Sequence, residues 1–329
     1  MQLIINDHAA FLGKHSELFY VRIPGKPEQE FAADKVEQII ISAGSSVSVG
    51  AVQLAMEKEI DIVYLAWNGM PIGRVYPCKL GGTTLTRKKQ LEAYGSALST
   101  LIVTTLLSAK LRNQAYLLKS LAKTRKDVLL RENADKILTE AEKLAAMTGP
   151  LDTIREPLLG LEGYSGSVYW DALSRLIPLP GRDKSGSNLA NALLNYGYGI
   201  LYSEVEKACI IAGLDPYLGF LHSDRYGKPS MVLDLIEEFR PVIVDRAVVT
   251  LFAHNMMAEK DFEQGIGTGR LTKSGRDKIL SAVLERLHTK ITLDEEQVEL
   301  QDIILRQARQ VAHAVLDEKQ RFRPFIYKW

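Results

Sequence analysis

Three carboxylates stand close together in the segment SMVLDLIEEFRP, Ser230 to Pro241: Asp234, Glu237 and Glu238. Spacings of three and four residues place them on one side of a helix, expected over residues 231–239. Ser230, after Pro229, is placed to cap it. His222 ends the apolar run GFLH just upstream, and the turn SDRYGKP lets it fold back over the first turns of that helix. One neutral imidazole with several carboxylates is a ligand set suited to Mn²⁺ or Mg²⁺. Such an ion polarises a phosphodiester oxygen or activates an attacking hydroxyl or water. Two plainer readings fit the same spacing: a solvated acidic face, and a histidine packed beside Phe220 and Leu221. Uncompensated burial of carboxylates is expensive, so these acids must face solvent, pair with cations or hold a metal. Spacing alone does not choose.

The rest of the chain must position these groups. Its 329 residues suggest about two domains, and 46% apolar residues suffice for a sizeable core. A net charge of +1 points to no partner; a nucleic-acid binder of this composition must gather its cations on one face. Cys78 and Cys209 form no CxxC pair, which argues against a zinc ribbon and a disulfide framework and fits a reducing cytosol. The start, MQLIINDHAAFLG, lacks a basic region, so no signal peptide is expected. No apolar run approaches the ~20 residues of a membrane span. A cytoplasmic chain without membrane association is expected.

Residues 1–82 read as β-rich. LIIN, ELFYVRI, VEQIIISA and DIVYLAW are β-branched or aromatic runs between turn residues, VQLAMEKE is a short helix, and NGMPIGRVYP a hairpin. Gly81-Gly82 marks a boundary, residues 83–90 a linker, and residues 91–329 carry apolar residues at helical spacing. The expected fold is α+β: a small N-terminal β-sheet domain followed by a larger all-α-helical domain.

The run Gly213 to His222, GLDPYLGFLH, followed by SMVLDLIEEFRP, resembles the signature of the CRISPR-associated endonuclease and integrase family called Cas-one. The resemblance covers essentially the whole chain. LLGLEGYSGSVYW (from Leu158), AKLRNQ (from Ala109), NALLNYGYGILYSEV (from Asn191), the N-terminal β runs and the closing RFRPFIYKW all match family segments. One departure is Asn188-Leu189 where the family often has Asp-Pro, which puts the local helix cap in doubt.

The resemblance implies a metal-dependent DNA nuclease and integrase that inserts short foreign DNA fragments into a CRISPR array. In the implied chemistry a DNA 3′-hydroxyl attacks a phosphodiester. It implies Glu162, His222 and Glu237 as ligands of Mg²⁺ or Mn²⁺, with Asp234 beside them as a ligand or as an orienter. It also implies a homodimer through the β domain, docked on a small Cas-two partner in a prokaryotic cytoplasm, with a catalytic role for the helical domain. Glu238 and Arg240 are expected to tie their helix to its neighbours.

Phosphate contacts need cations. The candidates are Arg87, Lys88 and Lys89, Lys110 and Arg112, Arg182 and Lys184 in a Gly/Ser loop, and Arg321 and Arg323. Tyr198 and Tyr202 are candidates for stacking on an opened base, or for core aromatics. His254, His288 and His313 match no ligand motif and read as structural or solvent-facing; His8 and His15 lie in the β domain, remote in sequence from the site. The competing readings are a DNA-binding scaffold without catalysis and an unrelated helical metallohydrolase; the second leaves the β domain unexplained.

Overall fold

The computed structural model describes residues 1–42, 44–77, 83–222, 227–264, 269–317 and 321–329. The chain divides into two compact units, Met1–Leu80 and Gly81–Trp329. Cys78, the Gly81-Gly82 break, residues 223–226 of the turn after His222 and residues 265–268 lie outside the described residues.

The first unit holds β1 (Gln2–Ile5), β2 (Phe11–His15), β3 (Leu18–Arg22), β4 (Gln29–Ala32), β5 (Gln38–Ser42), β6 (Ser46–Val47), α1 (Val49–Glu57), β7 (Asp61–Leu65) and β8 (Pro71–Val75). They form two four-stranded sheets, ordered β1-β5-β7-β8 and β4-β3-β2-β6. In the first, β5 is paired in parallel on both sides, to β1 and to β7. Its run QIIIS is buried at every position, the continuous apolar pattern of a strand covered on both faces. Leu12, Phe19, Ile39, Leu54 and Ile62 meet in the core of this unit. The expected helix is α1, capped by Ser48, whose hydroxyl accepts from Ala51 N–H at 3.1 Å.

The second unit is mostly helical: α2 (Thr83–Ala93), α3 (Ala97–Arg125), α4 (Val128–Ala145), α5 (Leu151–Ser174), α6 (Leu189–Ile211), α7 (Ser230–Leu235), α8 (Arg246–Ala253), α9 (Lys273–Leu287) and α10 (Leu300–Leu316). Residues 83–90, expected as a linker, are the opening turns of α2. The unit is not all-helical. β9 (Phe262–Gln264) pairs with β10 (Gly269–Leu271), and β11 (Lys290–Leu293) with β12 (Glu296–Glu299). The second hairpin turns at Asp294 and Glu295, with φ of 48° and 70°. Such a turn normally advertises itself by Asn-Gly or Asp-Gly, and here it does not. Among the described residues no single helix is long and apolar enough to cross a membrane.

The helix expected over 231–239 is a composite. α7 tightens into a 3₁₀ turn at Ile236–Glu238, widens into a π-helical stretch at Arg240–Asp245, and resumes as α8. Pro241 supplies the reason: it lacks an N–H, and its ring crowds the carbonyl one turn back. Ser230 does not cap α7 but begins it. Its hydroxyl donates to the carbonyls of His222 (2.9 Å) and Lys228 (3.1 Å), pinning the GFLH loop to the helix. The doubtful cap of α6 is made: Asn188 accepts from Asn191 N–H at 3.0 Å.

Gly219 lies against the start of α7. A Cβ there would sit 2.4 Å from the backbone carbon of Ser230. Gly219→Ala is therefore expected to cost about 1–3 kcal/mol. Gly160→Ala, in α5 with nothing within 4 Å of a Cβ, is expected to add about 0.5–1 kcal/mol. Urea unfolding of both variants checks the contrast.

Candidate active site

Three helical elements converge on one cation. α3 packs against α5 and against the 3₁₀ and π-helical turns after α7. The ammonium of Lys110 on α3 lies 2.5 Å from Oε1 of Glu162 on α5 and 2.7 Å from Oε2 of Glu237. The Lys110 and Glu237 side chains are 14% and 8% exposed, whereas Glu162 is 29% exposed. Arg240 closes the far side, its Nε donating to Glu237 Oε1 at 3.1 Å. Burial pushes the Glu237 carboxyl up, but the Lys110 and Arg240 cations, with His222 nearby, outweigh it and hold the group at about 2. The Lys110–Glu237 contact is off the direction of a good hydrogen bond, so the buried Oε2 has an ionic neighbour and no aimed donor.

Asp234 is fully committed. Its Oδ2 accepts the N–H groups of Phe220 (2.6 Å) and Leu221 (3.0 Å). Its Oδ1 accepts the N–H of His222 (3.2 Å) and lies 2.7 Å from Nδ1 of the His222 ring. The carboxylate thus caps the turn of the GFLH loop and orients the imidazole. Of the two roles open for Asp234, the geometry is that of an orienter. A neutral ring donating Nδ1–H to Asp234 presents Nε2 as a free lone pair.

The acids do not form a solvated face: Asp234, Glu237 and Glu238 are all buried. Glu238 turns away from Glu237 and accepts the N–H of Phe325 at 2.9 Å. Burial pushes its carboxyl well above the usual range, opposed only by that single donor. Asn113, one turn after Lys110, donates to the carbonyls of Glu238 (2.8 Å) and Phe325 (3.0 Å) and accepts from Tyr327 N–H (2.8 Å). The segment PFIYKW is thereby laced beside the site. Sequence reasoning expected Glu238 and Arg240 to be ties of this kind.

A second buried network escaped sequence reasoning. Tyr169, two turns after Glu162 on α5, donates to Asp245 Oδ2 at 2.7 Å, and Tyr198 donates to Oδ1 at 2.5 Å. Burial raises both phenols and, against the two hydroxyl donors, lifts Asp245 to about 6. The Arg240 guanidinium lies 4.6 Å from the centre of the Tyr198 ring, linking this network to Glu237. The only signal available was the seven-residue step from Glu162 to Tyr169.

The expected DNA contacts fare differently. Lys110 is taken up by the acid pair. Arg182 anchors its own loop, donating to Asn191 (2.9 Å) and Asn195 (2.7 Å) and lying over the rings of Trp170 and Tyr198. Tyr198 and Tyr202 are core aromatics. Arg87 is half-buried on α2, and Lys184 remains exposed. His254 and His313 face solvent, and His288 pairs with Glu299 at 2.9 Å.

The donor set suits a hard divalent ion: two carboxylates from different helices, that of Glu237 with its Oε2 buried and unaimed, and a free imidazole nitrogen. Lys110 is the stand-in cation. Among the described residues the three ligand atoms are not gathered within 4.8 Å; only the exposed His15, Glu28 and Glu30 of the first unit are.

Neighbouring glutamates shifted in opposite directions make opposite predictions. The stability contributed by Glu237, held below its unfolded value, is present above pH about 4.5 and is lost as pH falls towards 2. Glu238, held above its unfolded value, contributes at low pH and loses that contribution as pH rises. Glu238→Gln is expected to cost at most about 1 kcal/mol at pH 7. Glu237→Gln is expected to cost more and to flatten the acid limb of the stability profile. Urea unfolding between pH 3 and pH 8 reads both.

A family model described as CRISPR associated protein Cas1 matches residues 3–285. The CRISPR-associated endonuclease Cas1 1 of Archaeoglobus fulgidus is 34% identical, with 100% of each chain covered. That of Hyperthermus butylicus is 31% identical over 93% of this chain and 92% of its own. A casposase bound to integration product superposes with a TM-score of 0.83 at 25% identity, covering 98% of this chain and 92% of that one. A CAS1 protein from Thermotoga maritima shares the fold, with a TM-score of 0.78 at 20% identity over 96% and 97% of the two chains. The meeting of Glu162 and Glu237 on Lys110 thus lies in a chain that one family model matches over most of its length, and this chain belongs to the CRISPR-associated Cas1 family.

Proposed function

We propose that this chain is a metal-dependent DNA endonuclease and integrase that inserts short DNA fragments into a CRISPR array. The observation that carries the reading is the meeting of Glu162 and Glu237, from distant helices, on one buried cation beside an imidazole oriented by Asp234. The casposase relative, described as bound to integration product, supports the same chemistry.

Glu162, Glu237 and the His222 Nε2 are assigned to hold Mg²⁺ or Mn²⁺. When bound, the ion supplies Lewis-acid activation of the phosphodiester and of the attacking hydroxyl. Asp234 fixes the His222 tautomer and ring plane. Arg240 and Lys110 keep Glu237 ionised, and Lys110 also pairs with Glu162 while no divalent ion is present. In strand transfer a DNA 3′-hydroxyl forms a new P–O bond, and the displaced 3′-oxygen takes up a proton. In hydrolysis water replaces the hydroxyl.

The proposed partners are duplex DNA with free 3′-hydroxyls, the CRISPR repeat, a second copy of this chain and a small Cas2 protein, in a prokaryotic cytoplasm. Trp67, Met70, Ile72 and Tyr76, exposed together on the β7–β8 hairpin, support the β unit as the dimer-forming part.

The test is a strand-transfer assay with a labelled duplex, a repeat-bearing plasmid and Mn²⁺ or Mg²⁺, with and without EDTA. Joining is expected in the wild type and lost in Glu162→Ala and His222→Ala with the dimer intact. Asp234→Asn is expected to weaken Mn²⁺ binding about 10–100-fold, read by calorimetry. Joining that survives in both alanine variants sinks the mechanism. A chain that binds DNA but never joins it, even with Cas2 added, is a scaffold.

A further inference from the structure

Glu162 and Glu237 sit on elements with different neighbours. α5 packs against α3 and α4, and the composite helix beyond α7 packs against α3 and α6. Side chains bridge the two. Lys110 reaches both carboxylates from α3. Arg155, near the start of α5, donates to the carbonyl of Phe220 at 3.4 Å. Tyr169 donates to Asp245 Oδ2 at 2.7 Å.

The last contact has a particular place. Tyr169 lies on α5 two turns beyond Glu162, and Asp245 closes the π-helical stretch that begins three residues after Glu237. The acid pair on Lys110 and the Tyr169–Asp245 hydrogen bond are therefore two rungs across one seam, about 10 Å apart along α5 at 1.5 Å per residue. The first rung is an ammonium on a flexible stem. The second joins a ring and a short carboxylate, both fully buried.

The other oxygen of Asp245 acts towards Glu237. Oδ1 accepts from Tyr198 on α6 at 2.5 Å. The Tyr198 ring is faced by two guanidiniums, 4.6 Å from Arg240 and 5.5 Å from Arg182, and Arg240 donates to Glu237 at 3.1 Å. Burial opposes the charge of Asp245, and the two phenols with Arg240 and Arg182 answer it. A buried polar network of this kind is a poor source of net stability but fixes geometry.

We infer that Asp245 is a positioning residue of the metal centre. Through Tyr169 it sets the distance from α5 to the composite helix, and through Tyr198 and Arg240 it holds the Glu237 carboxylate. The inference rests on the proposed function for the ion. With a divalent ion in the place of the Lys110 ammonium, the first rung is released and the Tyr169–Asp245 rung remains.

The experiment is calorimetric titration of the whole chain with Mn²⁺ at about pH 7, with urea unfolding of every variant. Tyr169→Phe removes one hydroxyl and keeps the ring. It is expected to weaken Mn²⁺ binding about tenfold, the lower end of what partners of metal ligands contribute. Tyr198→Phe, whose ring still backs Arg240, is expected to weaken it less. Asp245→Asn is expected to match Tyr169→Phe, and the two losses are expected not to add in the double variant. Ile137→Val, on the buried face of α4, is expected to lose stability and keep its Mn²⁺ affinity. Wild-type affinity in folded Tyr169→Phe overturns the inference, and so does an equal loss in Ile137→Val, which reduces the effect to general stability. If Asp245→Asn does not fold, the two phenylalanine variants decide. A wild type that binds no Mn²⁺ overturns the metal reading and this inference together. Binding that Glu162→Gln abolishes and Tyr169→Phe leaves intact overturns this inference alone.

Discussion

Two carboxylates brought together from different helices need a cation between them, and Lys110 is that cation here. Its ammonium touches Glu162 on α5 and Glu237 beyond α7, and so holds together elements that the chain order separates. Removing Lys110 would leave the two carboxylates facing each other, with Arg240 alone to answer Glu237. The packing of α3 against α5 and the composite helix is the scaffold for this contact. Asn113, one turn further along α3, extends the same helix's reach to Glu238 and to the closing segment.

The composite helix explains how adjacent acids acquire different tasks. A regular helix would have set Asp234, Glu237 and Glu238 along one side. The 3₁₀ turn and the π-helical stretch that Pro241 imposes rotate them apart. Asp234 reaches back to the GFLH loop, Glu237 faces Lys110 and Arg240, and Glu238 points at Phe325. π-helical insertions often accompany functional sites because they re-aim side chains at a cost in backbone regularity. Gly197 on α6 allows the π-helical stretch to approach: a Cβ there would stand 2.6 Å from Val244.

Around this centre the charges are graded. Arg240 is shared between Glu237 and the Tyr198 ring, and Tyr198 shares Asp245 with Tyr169. Each buried acid is therefore answered by a donor. The cavity at the end of α3 is the contrary case: Lys119, Lys123, Lys126, Arg131 and Lys328 line it, with Asp127 as the one acid. A near-neutral chain can present both because acids and bases are segregated rather than scarce.

Much was legible in the residues themselves. β-branched runs between turns marked the sheets of the first unit, and apolar helical spacing marked the long helices of the second, because both patterns are local. The short β11–β12 hairpin was not legible, since its Asp-Glu turn carries no glycine and each strand is only four residues long. GFLH and the acidic segment drew notice by composition, and Glu162 by resemblance alone. Which acid pairs with which cation was beyond the sequence. Lys110 stands 52 residues from Glu162, and only helix packing brings them together. The protonation of Glu237 and Glu238 likewise followed from burial and neighbours, which are properties of the fold. The sequence by itself determined the elements and the inventory of chemical groups. The tertiary structure decided their partners, because the energy of a buried charge depends on what surrounds it in space.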